Sequence, residues 1–148
     1  MDVTIFVQLG TILYTVDDLP LAERAYLSGL EVDSEDVRCR SGLIVVLIDL
    51  GRLGDAEKEL KKVFEMDVTG DSIVNSICAL LKSVTDQNEE ARNQVEIALS
   101  ADSNSLEVLL IAYRVMTNLG DDVAAEKLLE TMQDIAPDDA RVMAVLLG

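Results

Sequence analysis

Residues 50–60, with the sequence LGRLGDAEKEL, predict the end of one helix, a tight turn and the start of a second helix. Gly51 and Gly54 supply the backbone freedom that the C-terminal cap of a helix requires. Asp55 suits the N-cap or the first turn of the next helix, where a carboxylate interacts favourably with the helix dipole. Because related sequences occur at residues 15–23 (TVDDLPLAE) and 119–126 (LGDDVAAE), we predict a repeated helix–turn–helix unit.

The composition predicts a folded, aliphatic and strongly acidic domain. The chain has 148 residues, enough for one domain with a continuous core. Hydrophobic residues make up 49% of it, which argues against disorder, and only 3% is aromatic, so the core must be aliphatic. The formal charge of −16, with no concentrated basic stripe, argues against binding to nucleic acids or to anionic membranes.

Histidine is absent and the two cysteines, Cys39 and Cys78, lie far apart without a CxxC pair. These facts exclude His-containing metal sites and His-based catalytic triads, so we expect no metal and no cofactor. We expect the two thiols to be buried or half-buried in a reducing compartment. The N-terminus lacks the basic region of a signal peptide, and no run approaches the roughly 18 apolar residues of a membrane span. A cytoplasmic location is the expectation.

Alanine recurs along the chain with a nearly constant step. Ala22, Ala56, Ala91 and Ala125 are separated by 34, 35 and 34 residues, the period of a two-helix solenoid repeat. The following sets of apolar positions keep the same step: Leu9, Leu43, Ile77 and Ala112; Leu13, Leu47, Leu81 and Met116; Tyr26, Leu60, Val95 and Leu129. The predicted fold is all-α, a solenoid of antiparallel helix pairs in a single domain, 1–148. Its repeats would be about 3–36, 37–70, 71–105 and 106–139, followed by a partial helix at 140–148.

The pattern resembles the tetratricopeptide-repeat family, whose signature is W-x2-L-G-x2-Y…A-x3-F…P. The first repeat reads Phe6-x2-Leu9-Gly10-x2-Leu13…Ala22-x3-Tyr26, and the fourth ends with Pro137 where the signature has proline. The second repeat has Arg40 and Ile44 in place of the aromatic residue and the glycine. The third matches least well: its turn, residues 84–90, lacks glycine and is predicted to carry the one-residue insertion.

The final segment, residues 140–148, begins a fifth first helix and is apolar nearly throughout. A terminal repeat normally presents a polar outer face. Two interpretations remain: the chain is cut from a longer repeat array, or this helix packs against a second copy.

Acidic residues cluster at 33–36, 86–90, 121–122 and 138–139. Each cluster falls at a predicted turn or helix start, where carboxylates favour the helix dipole and stay solvated. Residues 102–107 lack the glycine and the spacing of a calcium loop. No P-loop, GxGxxG or GxSxG motif is present, so the chain is predicted not to be an enzyme.

The family resemblance implies that the first helix of each repeat lines a concave groove that binds a segment of a partner protein. Carried over to this sequence, the groove residues would be Val7, Thr11, Tyr14, Arg38, Ser41, Val45, Ile48, Asn75, Ala79, Lys82, Leu110, Arg114 and Thr117. This surface suits a partly apolar peptide with one or two acidic groups. Alternatively, Val45, Ile48 and Leu110 belong to the core between repeats.

The leading functional hypothesis is a non-catalytic protein-interaction module: a scaffold, adaptor or chaperone. Repeats that clamp the acidic tails of heat-shock chaperones carry Lys, Asn and Arg at set points of their first helices. This chain has Val7, Thr11, Gly42, Ser72 and Ser76 there, which argues against that partner. The alternative is a structural role in which the domain forms homo-oligomers through its apolar C-terminal helix.

Overall fold

The computed structural model describes residues 2–66 and 71–148, and in these residues it contains α-helices and no strand. The all-α prediction is confirmed, and the helices follow one another as four pairs and a short final helix. Their bounds are α1 Thr4–Thr15, α2 Leu19–Val32, α3 Val37–Asp49, α4 Leu53–Phe64, α5 Ser72–Val84, α6 Asn88–Ala101, α7 Leu106–Asn118, α8 Asp122–Ile135 and α9 Ala140–Leu147.

The chain divides into two compact units, 1–69 and 70–148. In the first unit α1 packs on α2, both pack on α3, and α3 packs on α4. In the second unit α5 packs on α6, both pack on α7, and α7 packs on α8, which contacts α9. Each unit therefore repeats one arrangement, in which a first helix rests on both helices of the preceding pair.

A residue in the left-handed region ends the first helix of each pair. These residues are Asp17, Gly51, Asp86 and Gly120, with φ between 60° and 77°. The N–H of the next residue donates to a carbonyl five positions back, for example from Arg52 to Leu47 at 2.9 Å, as in a Schellman motif. Asp86 takes the place of glycine in the third turn because a short polar side chain tolerates this conformation better than most.

One detail of the sequence reading of these turns was wrong. Gly54 is not part of a cap but lies in the first turn of α4, where its φ is not positive. Of the two positions predicted for Asp55, the structure has the first turn of α4, and Arg52 is the N-cap.

The extra residue of the third repeat is not in its turn. That turn leaves three residues between helices, as do the other three. Both α5 and α6 begin 35 residues after α3 and α4, so the insertion precedes Asp71. The positions equivalent to Leu43 and Leu47 in α5 are therefore Cys78 and Lys82, not Ile77 and Leu81.

The recurring alanines lie in the core. Ala22, Ala56 and Ala91 are fully buried, and Ala125 is 6% exposed. A small side chain lets the two helices of a pair approach closely, and larger aliphatic residues such as Val63 and Val95 fill the space beside it.

In the first unit an aromatic ring fills the space between helices. Tyr26 of α2 is 5% exposed, and a Cβ atom added to Gly10 of α1 would lie 2.6 Å from its ring. A Cβ atom on Gly42 of α3 would also collide with the ring. The two glycines are thus required by the close approach of α1 and α3 to Tyr26.

We predict that Ala56→Arg destabilises the fold severely. The site has no exposed surface, so a charged side chain must either remain desolvated or separate α3 from α4. We expect a loss of more than about 3 kcal/mol in the free energy of unfolding. Thermal melts followed by circular dichroism test this, with the exposed Glu57→Arg of the same helix as the control. An unchanged melting temperature for Ala56→Arg would contradict the packing described.

We predict that alanine substitutions of Gly51, in the second turn, and Gly54, in the first turn of α4, change the stability of the fold in opposite directions. Gly51→Ala places a Cβ at φ +77° and should destabilise the fold by about 1 kcal/mol. Gly54→Ala adds a methyl group within a helix where no atom lies within 4 Å, and should stabilise by about 0.5 kcal/mol. Urea denaturation of the two variants distinguishes these effects, and the same sign for both would contradict the assignment of Gly54 to α4.

Candidate protein-binding surface

The first helices of the first unit, α1 and α3, are joined by polar contacts at both ends. Tyr14 Oη donates to Asp49 Oδ2 at 2.6 Å, near the C-terminal ends of the two helices. At the other end Arg38 Nη1 donates to Thr4 Oγ1 at 3.4 Å. Two of the predicted groove residues, Tyr14 and Arg38, therefore lie at the contact between α1 and α3, at its opposite ends.

Arg38 is the exposed cation of this face. Its side chain is 53% exposed, and Nη2 lies 3.0 Å from Asp36 Oδ2. Asp36 also caps α3, accepting from the Cys39 N–H at 2.9 Å. Burial acts to raise the pKa of Asp36, but the hydrogen bonds from Arg38 and Cys39 outweigh it and hold that pKa below its usual value. Both terminal nitrogens of the guanidinium thus have partners, while about half of the side chain is exposed to solvent.

Thr11 lies in the middle of the α1 side of this face. Its Oγ1 donates to the carbonyl of Val7 at 2.8 Å and lies 3.3 Å from Tyr26 Oη. The ring of Tyr26 thus lies against Gly10 and Gly42, with its hydroxyl beside Thr11 of α1.

The second unit repeats the contact at the C-terminal end of its first helices. Asn118 Nδ2 of α7 donates to Ser83 Oγ of α5 at 3.0 Å. Each of these residues lies 69 positions after its counterpart, Asp49 or Tyr14, so the two hydrogen bonds occupy the same register. The sequence reading missed Asp49, Ser83 and Asn118. They follow Tyr14 by 35, 69 and 104 residues, close to multiples of the repeat period, and this spacing was the available signal.

The predicted groove residues differ widely in exposure. Arg38 and Thr117 are exposed, whereas Ser41, Ile48 and Ala79 are buried. Burial places Ile48 in the core, as the alternative interpretation had it. The rest are half-buried, namely Val7, Thr11, Tyr14, Val45, Asn75, Lys82, Leu110 and Arg114.

In the third repeat the one-residue shift changes which side chains correspond. The α5 positions equivalent to Ser41, Val45 and Ile48 are Ser76, Leu80 and Ser83. The predicted residues Asn75, Ala79 and Lys82 each lie one position earlier, which is a rotation of about 100° around the helix. Lys82 Nζ pairs with Glu90 Oε2 of α6 at 2.8 Å.

Three of the four acidic clusters supply a helix cap, and other Asp and Ser residues cap further helices. Asp36, Asp71, Ser105 and Asp139 accept hydrogen bonds from the first-turn N–H groups of α3, α5, α7 and α9. Asp18 and Asp121 cap the second helices α2 and α8 in the same way. Within the described residues no group of three His, Cys, Asp or Glu side chains is arranged to hold a metal ion.

Both thiols are buried and form no disulfide. Burial, and secondarily the negative charge of Asp36, raises the pKa of Cys39 to about 11, and burial also raises the pKa of Cys78. At neutral pH both are protonated, a form that is a poor nucleophile.

A surface cavity of about 490 Å³ in the first unit was not foreseen from the sequence. Leu27, Leu43 and Leu47 contribute apolar surface to it, and charged side chains of α2 and α4 surround them. Several of these charges are already paired: Arg52 contacts Glu23 at 2.6 Å and Asp55 at 3.0 Å, and Glu59 contacts Lys62 and the buried Arg40. Because its charges largely neutralise one another, the cavity has little selectivity for a charged ligand.

No family model and no curated protein matches this sequence. Solved structures do. A tetratricopeptide-repeat protein from Parabacteroides merdae has a TM-score of 0.55 and 16% identity over 93% of this chain and 53% of its own length. YrrB, described as a TPR protein with an unusual peptide-binding site, has a TM-score of 0.54 and 16% identity over 99% of this chain and 93% of its own length. The chain has the tetratricopeptide-repeat fold.

A further neighbour with this fold is MamA, with a TM-score of 0.52 and 24% identity over 95% of this chain and 76% of its own. The resemblance first indicated by the 34-residue period is thus confirmed at the level of the tetratricopeptide-repeat fold. None of the described helices is both long and apolar enough to cross a bilayer.

We predict that the capping charge of Asp139 contributes to stability at neutral pH and is lost in acid. Its hydrogen bond from Arg141 lowers its pKa, so the folded state holds this carboxylate ionised at a pH where the unfolded chain binds a proton. The contribution is therefore complete above about pH 4 and disappears as the pH falls below it. Asp139→Asn, which keeps the capping oxygen, should cost about 0.5–1 kcal/mol at pH 7 and nearly nothing at pH 2.5.

Urea denaturation at the two pH values measures this difference, with Asp138→Asn at the neighbouring exposed position as the control. An equal cost for Asp139→Asn at both pH values would show that the charge contributes nothing.

Proposed function

We propose that this chain is a non-catalytic protein-interaction module whose first helices bind an extended or helical segment of a partner protein. The α1–α3 face is the observation that carries the proposal. It combines an exposed guanidinium, Arg38, with the half-buried Val7, Thr11, Tyr14 and Val45. A partly apolar segment with an acidic side chain matches this chemistry. YrrB, with the same fold, is named for a peptide-binding site, which supports the assignment.

In the second unit, α7 offers Leu110, Arg114 and Thr117 in the register of Ser41, Val45 and Ile48. Arg114 lies near the middle of this helix and is half-buried, so each unit carries one arginine among the proposed binding residues. Both cations belong to a chain of net charge −16, in which positively charged residues are the minority. This favours a role for them in specificity rather than in solubility.

The other groups that could do chemistry already have structural roles, which supports a module without catalytic activity. Carboxylates cap helices, and both thiols are buried and protonated. The net charge favours a protein partner over a nucleic acid. Buried free thiols suit a reducing compartment, which supports the proposal that this scaffold, adaptor or chaperone acts in the cytoplasm.

Self-association through α9 is a second candidate function. Val142 packs in a cluster with Leu109 and Met132, but Met143, Leu146 and Leu147 on the same helix are 48%, 47% and 86% exposed. Three large aliphatic side chains on one short helix form a surface that a second copy could cover.

One pair of substitutions separates the two candidates. Arg38→Glu combined with Arg114→Glu reverses the charge of the binding faces without touching α9. We expect the double variant to lose partners that the wild-type chain captures from its native organism, because an acidic partner group now meets a like charge. Its sedimentation coefficient should remain that of the wild type.

Arg24→Glu, an exposed position on α2, is the matched control for the added negative charge and should retain the partners. Retention of all partners by the double variant would contradict the binding faces. A wild-type oligomer that dissociates on Met143→Gln with Leu146→Gln would instead support self-assembly.

A further inference from the structure

Helix α1 exposes an apolar stripe on a side that the proposed binding face does not use. Ile5, Leu9, Ile12 and Val16, spaced by four, three and four residues, are 58%, 43%, 61% and 66% exposed. This spacing places them along one line of the helix, over about 16 Å. Residues 4–15, which form α1, contain no charged side chain.

The equivalent stripe is buried in α3 and α7, the two helices that pack on a preceding pair of their own unit. In α3 the positions matching Ile5, Leu9 and Ile12 are Cys39, Leu43 and Val46, none more than 2% exposed. In the second unit the same positions of α7, namely Val108, Ala112 and Val115, are fully buried.

Helices cover these equivalent stripes: α1 and α2 pack on α3, and α5 and α6 pack on α7. The stripe on α1 therefore occupies the positions at which α3 and α7 are packed against other helices. Because helices cover these positions twice in this chain, we expect a helix to be the segment that binds the stripe.

The charges at the two ends of the stripe indicate what kind of helix would bind there. Asp2 lies at its N-terminal end, where it accepts from the Thr4 N–H at 2.9 Å. Asp17 and Asp18 lie at its C-terminal end, in the turn before α2. A second copy of this chain would bring the same acidic ends and a further formal charge of −16. Like charges facing one another disfavour that occupant, whereas Lys and Arg beside an apolar helix face complement the stripe.

We propose that the Ile5–Leu9–Ile12–Val16 stripe of α1 is a docking site for an amphipathic helix of another protein that carries Lys or Arg beside its apolar face. This site is separate from the first-helix binding face, because Val7, Thr11 and Tyr14 lie on another side of α1. The stripe would be a second interaction surface of the domain. It would prefer partner segments with Lys or Arg, whereas the face that carries Arg38 would prefer acidic ones.

A synthetic helix tests the proposal directly. The probe is an Ala-based peptide of about 18 residues with Leu at i, i+3, i+4 and i+7 and Lys beside them, labelled for fluorescence polarisation. Its matched control has Glu in place of every Lys. We expect the Lys peptide to bind at least about tenfold more tightly than the Glu peptide at low salt, and the preference to shrink as salt screens the charges.

Variants of the chain locate the binding. Ile5→Gln with Ile12→Gln removes the apolar contact without changing the charge and should weaken the Lys peptide about tenfold or more. Asp17→Asn with Asp18→Asn keeps side chains suited to this turn and should reduce the Lys preference. Leu27→Gln, at an aliphatic position on α2 that is 43% exposed, should leave binding unchanged.

Three results would overturn the proposal. Equal binding of the two peptides, or unaltered binding to Ile5→Gln/Ile12→Gln, would exclude this occupant at this site. A concentration-dependent dimer in sedimentation that the same double variant abolishes would assign the stripe to a second copy. Because the proposed function is tested by Arg38→Glu and this site by Ile5→Gln/Ile12→Gln, the failure of one is distinguishable from the failure of the other.

Discussion

The fold depends on the burial of one helix pair against the next. A helix pair cannot bury its apolar side alone, so within each unit the next first helix, α3 or α7, rests on both helices of the pair before it. Alanine at the closest approach within each pair, as at Ala22 and Ala56, brings the backbones near enough for the larger residues to interlock. The ring of Tyr26 fits between α1 and α3 because Gly10 and Gly42 have no side chains. A bulky or charged residue at any of these points separates helices that have no other means of burying their surface.

The strong negative charge is compatible with this packing because of where many of the acids lie. Asp36, Asp71 and Asp139 cap helices, where N–H groups and the helix dipole stabilise a carboxylate. The capping oxygens recur at the repeat period because every first helix begins at the same point of its repeat. Part of the acidic composition is therefore explained by helix capping, which recurs along the chain, and the remaining acids belong to the surface.

The two sides of α1 show how one helix supports two different surfaces. One side joins α3 through the Tyr14–Asp49 hydrogen bond and carries the residues of the proposed binding face. The other side carries the Ile5–Leu9–Ile12–Val16 stripe, whose first three positions match residues that are buried in α3 and α7. A helix period of 3.6 residues separates these two sets cleanly, so substitutions can address each surface independently.

The sequence alone determined the period, the helix pairs and the buried alanines, because apolar spacing and turn residues are local and repeat four times. It did not determine the register of α5. Ile77 and Cys78 are both apolar and both buried, so either satisfies a one-dimensional pattern, and only the helix bounds show which one matches Leu43. Nor could it separate the exposed Arg38 from the buried Ser41 and Ile48 on the same helix. Exposure depends on which neighbours cover a helix, and partners such as Tyr14 and Asp49, 35 residues apart, meet only when the helices stack.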